Sequence, residues 1–263
     1  MIRRVLFICL AVLVVGASRA WTAPDAAPAP PKYGPAGAPY AAPLWQSHEY
    51  FQSAKNPAPD FWTLINHYTG QESSLYCSVA SVTIVLNAIA RTSGNLRAGD
   101  ANYQQAKLLD QVRAEHWKER LTGNGWKDRK GLTLAELDDA VRETFKIYGI
   151  KGWTVARRSF PDAAPADLGE LRAILAANEA SADDFIIAHF VQDKLTNDPG
   201  GPYPHISPIG AYDAASGRAL ILDVDREYYG PYWVSVERLL AALAARTPAF
   251  GHGGLLIVRR ISR

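Results

Sequence analysis

The chain has 263 residues, 28 Lys/Arg against 26 Asp/Glu, and 48% apolar side chains. That length can bury a substantial core, and the composition is that of a folded globular protein, which excludes disordered and fibrous classes. The net charge is only +2 and the Lys/Arg are scattered, so the basic stripe of a polyanion binder is absent and no nucleic-acid partner is expected.

Residues 1–20 read as an export signal. Arg3-Arg4 form a positive start, Val5 to Gly16 an apolar stretch, and Ser18-Arg19-Ala20 puts small residues where signal peptidase reads. The stretch is short for a membrane span, so cleavage rather than retention as an anchor is expected. The product would be periplasmic or secreted, without stable membrane insertion. From Trp21 to Pro43 the chain is rich in Pro and Ala, a composition that favours extended, weakly packed backbone. Residues 21–43 are therefore expected to form a tether, with the folded catalytic domain as 44–263.

Ser78 to Arg91 carries Val79, Val82, Val85, Leu86 and Ile89 at helical spacings. Gln104 to Arg120 is predicted as a polar amphipathic helix ending near Thr122-Gly-Asn-Gly125. Thr133 with Glu136 makes a capping box that opens a helix to about Lys146. Trp153–Arg157 reads as extended, and Asp167 with Glu170 opens a helix to about Ala180. Strands follow: Phe185–Val191, Ile206–Tyr212 and Ala219–Asp225, the last two joined by the hairpin signal Ala214-Ala-Ser-Gly217. A short helix, Ser235–Ala245, and a strand, Gly254–Arg259, complete the chain. Helices first and antiparallel strands second argue for an α+β fold rather than a doubly wound parallel sheet.

Of the two cysteines, Cys9 lies in the export signal, so the mature protein would carry one thiol, Cys77, with no internal disulfide. A lone cysteine can be a small buried apolar residue. Cys77, however, immediately precedes the first strong helix, where unpaired N–H groups and the helix dipole favour the thiolate. Gln71, six residues upstream, matches the spacing of the side chain that joins the Cys N–H at the oxyanion in papain-like enzymes.

Six histidines could serve such a thiol as base. His48 and His67 lie in irregular sequence, His116 in a polar helix, His189 in an apolar run, and His252 between glycines. His205 opens the predicted hairpin, and Asp223 lies on its returning strand, where neighbouring side chains come close enough to orient an imidazole. Its separation from Cys77 is close to that of papain-like enzymes. Asp225 shares a face with Asp223 and is its rival; Asp213, beside the turn, reads as a turn former.

Two stretches, Gln71…Tyr76-Cys77…Val85-Leu-Asn-Ala88 and His205-Ile-Ser-Pro-Ile-Gly-Ala-Tyr212…Ala219-Leu-Ile-Leu-Asp-Val224…Arg226…Tyr229…Trp233-Val, resemble the phytochelatin synthase family in its short bacterial form. The resemblance implies a papain-like cysteine protease fold, with the nucleophile on an N-terminal helical part and His and Asp on a C-terminal antiparallel sheet. It implies Cys77, His205 and Asp223 as triad, Gln71 at the oxyanion hole, and glutathione as substrate. Cys77 would attack the Cys–Gly amide, release glycine and hold γ-Glu-Cys as a thioester. Water would hydrolyse that thioester, or a second glutathione would accept it to give phytochelatin. Arg226 and Tyr229 match positions beside the family's active site, where they would hold substrate or serve only as structural support.

The resemblance implies no obligatory cofactor; cadmium or zinc would enter as glutathione thiolate complexes, and no metal-ligating cluster is legible. The family is often dimeric, so a homodimer is among the states allowed. Ser78 departs from the usual glycine after the nucleophile and would tighten the oxyanion hole. His252-Gly-Gly-Leu255 stands where the family often has Arg-Gly-Phe, leaving the acyl carboxylate's partner open. Within these 263 residues there is no cysteine-rich stretch like that of the plant enzymes. A cell-wall peptidase and a tethered, non-catalytic papain-like binding module are the alternative expectations.

Overall fold

The computed structural model describes Tyr33, residues 40–196, Asp198 and residues 200–261, all within one unit, 31–263. The expected export signal, 1–20, and residues 21–32 and 34–39 of the expected tether lie outside the described residues. Helices are α1 (Pro59–Ile65), α2 (Cys77–Thr92), α3 (Gln105–Gln111), α4 (Trp117–Arg120), α5 (Leu134–Ile147), α6 (Pro165–Glu179) and α7 (Val236–Ala244). Strands are β1 (Ala42–Pro43), β2 (Trp153–Arg158), β3 (Asp184–Val191), β4 (Pro204–Asp213), β5 (Arg218–Ile221), β6 (Tyr232–Ser235), β7 (Arg246–Thr247), β8 (Gly251–His252) and β9 (Gly254–Arg260). β1–β6 and β9 form one antiparallel sheet in the order β1-β6-β5-β4-β3-β9-β2, and β7 pairs with β8. The architecture is α+β, as the order of elements predicts.

The sheet is covered on both faces. Phe185 and Ile187 of β3 join the core built with α2 and α5, whereas Ile186, Ala188 and Phe190 join the core built with α6 and α7. β3 is therefore buried along its whole length, which explains its unbroken apolar reading where alternation would mark a half-exposed strand. α2 is likewise buried from Ser78 to Ala90. Asn87 is accommodated there by bracketing Tyr103, donating to its O at 3.0 Å and accepting from its N at 2.7 Å.

Four expectations need correction. The predicted helix Gln104–Arg120 is broken: Val112 is extended, and Glu115 and His116 take left-handed φ of 56° and 54°. The turn sends Trp117 into the core, where its indole donates to Ser78 Oγ at 2.9 Å; burying that aromatic outweighs continuing a polar helix. The helix opened by Asp167 starts earlier, at Pro165, whose ring pre-sets the first helical φ while the Asp167 carboxylate accepts the Ala164 N–H at 2.9 Å. The strand Ala219–Asp225 stops at Ile221, because the β4–β5 register shifts between Ile209 and Ala211. Gly210 sits at that shift, where a Cβ would lie 2.8 Å from Leu222 Cγ. Lastly, the end of the expected tether is structured, with Ala42 and Pro43 pairing with Trp233 and Tyr232.

Asp60, in the first turn of α1, is 1% exposed, and no donor among the described residues is aligned with either carboxyl oxygen. Burial, reinforced by the charges of Asp184 and Glu179, pushes its carboxyl up to about 9. The native state therefore keeps a proton that the unfolded chain releases above its ordinary carboxylate range, so Asp60 costs stability increasingly from about pH 4 to pH 9. Asp60→Asn should melt at a higher temperature than wild type at pH 8, with the gap closing toward pH 4. Thermal melts across that range check this; a gap independent of pH would exclude the titration.

Candidate active site

Cys77 is the first residue of α2 and opens onto a cavity of about 470 Å³ shared with Gln71, Gln192, Tyr203, His205 and Tyr229. The helix start is tied to the sheet through Ser81, whose hydroxyl lies 2.8 Å from Cys77 O and 2.9 Å from Ile206 O. Ser81 thus sets the spacing between the thiol and the residue after His205. Gln71 is held by its own backbone N–H, which donates to Val224 O at 2.8 Å. Its side-chain Oε1 is buried without a hydrogen-bond partner among the described residues, and the residue lines the same cavity as Cys77.

His205, on β4, is 8% exposed, and Asp223 is fully buried. His205 Nε2 donates to Asp223 Oδ1 at 2.9 Å, and Ser207 Oγ lies 3.1 Å from the same nitrogen. Nδ1 is left as the ring nitrogen not engaged by Asp223 or Ser207, and Cys77 lines the same cavity as the ring. Four donors converge on the Asp223 carboxylate. Oδ1 takes His205 and the Asp225 N–H, at 2.9 Å each; Oδ2 takes Gln192 Nε2 at 3.0 Å and the Tyr232 hydroxyl at 2.9 Å. Burial alone would push this carboxyl up, but the His205 charge and these hydrogen bonds hold it below the usual carboxylate range. Burial would likewise strip the His205 proton; the Asp223 charge and bond, together with Cys77, hold it well above the usual imidazole value.

The structure brings Cys77, Gln71, His205 and Asp223 together and separates their rivals. Asp225 reaches Asp223 only through its N–H, because the backbone turns after the register shift instead of continuing as strand; its side chain lines the cavity. Asp213 caps the hairpin turn, accepting the Ala215 N–H at 3.0 Å. None of the other five histidines lines this cavity. His189 is a core histidine, pushed down to about 4 by burial and then by the His205 charge. His116 stacks on Trp126 at 3.7 Å. His252 donates Nδ1–H to Ala244 O at 2.6 Å and lines a different pocket, with Arg142 and Arg157. Gly253 has a packing reason: a Cβ there would lie 1.9 Å from His189 O.

The two expected substrate contacts separate. Tyr229 lines the cavity and donates to Asp198. Arg226 is outside the lining; its guanidinium lies 4.9 Å over the Tyr68 ring, and Tyr68 donates its hydroxyl to Asp223 O. Ser78 does not crowd the thiol's turn, since its hydroxyl faces Trp117. Gln192, Tyr232 and Tyr68, which hold Asp223, were not legible in the sequence. Each comes from a different element, and only the fold brings them to one carboxylate. Among the described residues no group of three His, Cys, Asp or Glu is arranged to hold a metal ion, and no helix is long and apolar enough to cross a membrane.

With this geometry in hand, comparison with known proteins is specific. The chain is 28% identical over 204 residues to glutathione gamma-glutamylcysteinyltransferase 1 of Triticum aestivum, a match covering 77% of this chain and 36% of the relative. It is 26% identical over 211 residues to glutathione gamma-glutamylcysteinyltransferase 1 of Arabidopsis thaliana, covering 80% and 39%. The third transferase of that name from Lotus japonicus is 26% identical over 204 residues, 77% of this chain and 38% of its own. The chain thus spans well under half the length of these relatives. Residues 44–252, which include every residue of the site, match the phytochelatin synthase family profile, and the chain belongs to the phytochelatin synthase family.

Proposed function

We propose that the protein is a thiol-dependent acyl-transfer enzyme acting on glutathione. The observation that carries this reading is the buried Asp223–His205 pair, 2.9 Å apart, facing the one cysteine among the described residues at the start of a helix. The relatives' names point to glutathione and to transfer of its γ-glutamylcysteinyl group. The nucleophile on a helix, the base on an antiparallel sheet and the acid just past the end of the neighbouring strand are also in keeping with a papain-like architecture.

In this mechanism the Cys77 sulfur attacks the carbonyl of the Cys–Gly amide while His205 Nδ1 holds the thiol's proton. The developing oxyanion takes the Cys77 backbone N–H and the Gln71 amide. His205 then passes its proton to the leaving nitrogen, glycine departs, and γ-Glu-Cys remains as a thioester on Cys77. Water, or the amine of a second glutathione, gives up a proton to His205 as it attacks, and the thiol is regenerated when the tetrahedral adduct collapses. Asp223 holds the imidazole in the productive tautomer throughout. A heavy-metal ion would take part as a glutathione thiolate complex, on the substrate side. Export by residues 1–20 would place this activity in the periplasm or outside the cell.

Mass spectrometry of the protein mixed with glutathione should find a γ-Glu-Cys adduct on Cys77 together with free glycine. Cys77→Ala should yield neither, and intact glutathione after prolonged incubation with reduced wild type would reject the reading. Gln71→Ala should lower kcat by about 10²- to 10³-fold, the cost of one oxyanion donor.

Asp223→Asn should be worse, by up to about 10⁴-fold in kcat, and should also move the pH profile. The Asp223 charge keeps the proton on His205, so without it His205 deprotonates at lower pH and the alkaline limb shifts toward acid. A profile of unchanged shape in the Asn variant would remove Asp223 from the mechanism.

A further inference from the structure

We infer that Tyr33 is a positioning residue for the triad: its ring holds Tyr229 and Tyr232 in place and, through Tyr232, fixes the carboxylate of Asp223. The inference rests on the proposed role of Asp223 in orienting His205. Tyr33 lies in the Pro/Ala-rich stretch, where nothing in the sequence points to chemistry.

Three tyrosine rings form one edge-to-face cluster. Tyr33 is 5.9 Å from Tyr229 at an interplanar angle of 82°, and 5.9 Å from Tyr232 at 64°. Tyr229 and Tyr232 are 6.0 Å apart at 63°. The Tyr33 hydroxyl accepts the N–H of Gly230 at 3.2 Å, so Tyr33 grips the turn between its two partners as well as their rings. Those partners face the chemistry. Tyr229 lines the cavity, and Tyr232 donates to Asp223 Oδ2 at 2.9 Å.

Residues just beyond Tyr33 act on the same support. Pro43 pairs with Tyr232 across the β1–β6 ladder. The Ala41 N–H donates to Leu195 O at 3.2 Å, and the Leu195 N–H donates to Gln192 O at 2.9 Å. Gln192 is the other donor to Asp223 Oδ2. Of the two side chains on that oxygen, Tyr232 is therefore paired directly with the N-terminal stretch and Gln192 is linked to it through Leu195.

The electrostatics agree with this proximity. Burial pushes the Tyr33 hydroxyl up to about 12, against the Gly230 N–H, and the Asp223 charge adds to it. His205 is faced by Asp223, by Cys77 from α2 and by His189 from β3. Asp223 is faced by Tyr232 and, at longer range, by Tyr33, Tyr68 and Tyr229. A ring that stays neutral and keeps Tyr232 on Oδ2 preserves the anionic Asp223 on which the His205 proton depends. A small residue at position 33 would let Tyr232 tilt away, leaving a buried carboxylate one donor short.

The test uses the full chain with Tyr33→Ala, Tyr33→Leu and Tyr33→Phe, and two readouts against pH: NMR titration of the ¹⁵N-labelled His205 ring, and glycine release from glutathione. Tyr33→Ala should lower kcat about five-fold, the effect of loosening one hydrogen bond, with KM changed less than about two-fold. Its His205 should lose its proton at lower pH than wild type, and the alkaline limb of kcat should follow. Tyr33→Leu, which fills the space without an aromatic edge, should shift the same way and carries the test if the Ala variant does not fold. Tyr33→Phe keeps both ring contacts and should stay close to wild type. Folded Ala or Leu variants with the wild-type His205 titration would overturn the inference. Should wild type release no glycine, the glutathione reading fails, while the ring titration still decides the role of Tyr33.

Discussion

A carboxylate with no exposure to water must be repaid in hydrogen bonds, and much of this molecule is arranged around that requirement at Asp223. Moving an isolated charge into a protein interior costs several kcal/mol even after relaxation. Here the compensation is complete: His205 and the Asp225 N–H on one oxygen, Gln192 and Tyr232 on the other. Removing one member of such a set typically costs about 3–5 kcal/mol, because what remains is a buried charge without its partner. Strand β4, the turn after Val224, the turn carrying Gln192 and the short strand β6 each supply one of these donors.

The second constraint is the distance between two layers. Cys77 belongs to a helix packed on the sheet, His205 to the sheet itself, and a thiol and an imidazole must meet within hydrogen-bond reach. Ser81 contacts both the first turn of α2 and the backbone beside His205. Trp117 presses on the next position, Ser78, from the far side. Ser78, next to Cys77, thus belongs to the packing of α4, which is why α3 and α4 are two helices instead of one. Site geometry and core packing are set by the same contacts.

A thiol beside a buried imidazole–carboxylate pair is an arrangement general to acyl transfer; what distinguishes this cavity is its wall. Gln71, Gln192, Tyr203 and Tyr229 line it with Cys77 and His205, and Asp198 and Asp225 are the carboxylates on the lining. His252 and its glycines, which in sequence stand where an acyl-carboxylate partner is expected, are committed to packing against β3 and to a separate pocket.

The sequence by itself determined the elements whose signals are local: the capping box at Thr133 and Glu136, the turn at Ala214–Gly217, the helix behind Cys77 and the apolar run of β3. It also singled out Cys77 and His205 as candidates, because a thiol at a helix start and a histidine opening a hairpin are patterns of short range, and it left Asp223 beside its rival Asp225. Tertiary structure decided the rest. Asp223 prevails over Asp225 only because a register shift turns the backbone, and a shift of one residue changes which side chain faces the imidazole. Gln192, Tyr232 and Tyr68 converge on Asp223 from segments whose sequences give no sign of it. The docking of Tyr33 against Tyr229 and Tyr232 could not be read in a Pro/Ala-rich stretch, because composition records how a segment behaves alone, whereas its burial depends on a surface formed by residues two hundred positions away.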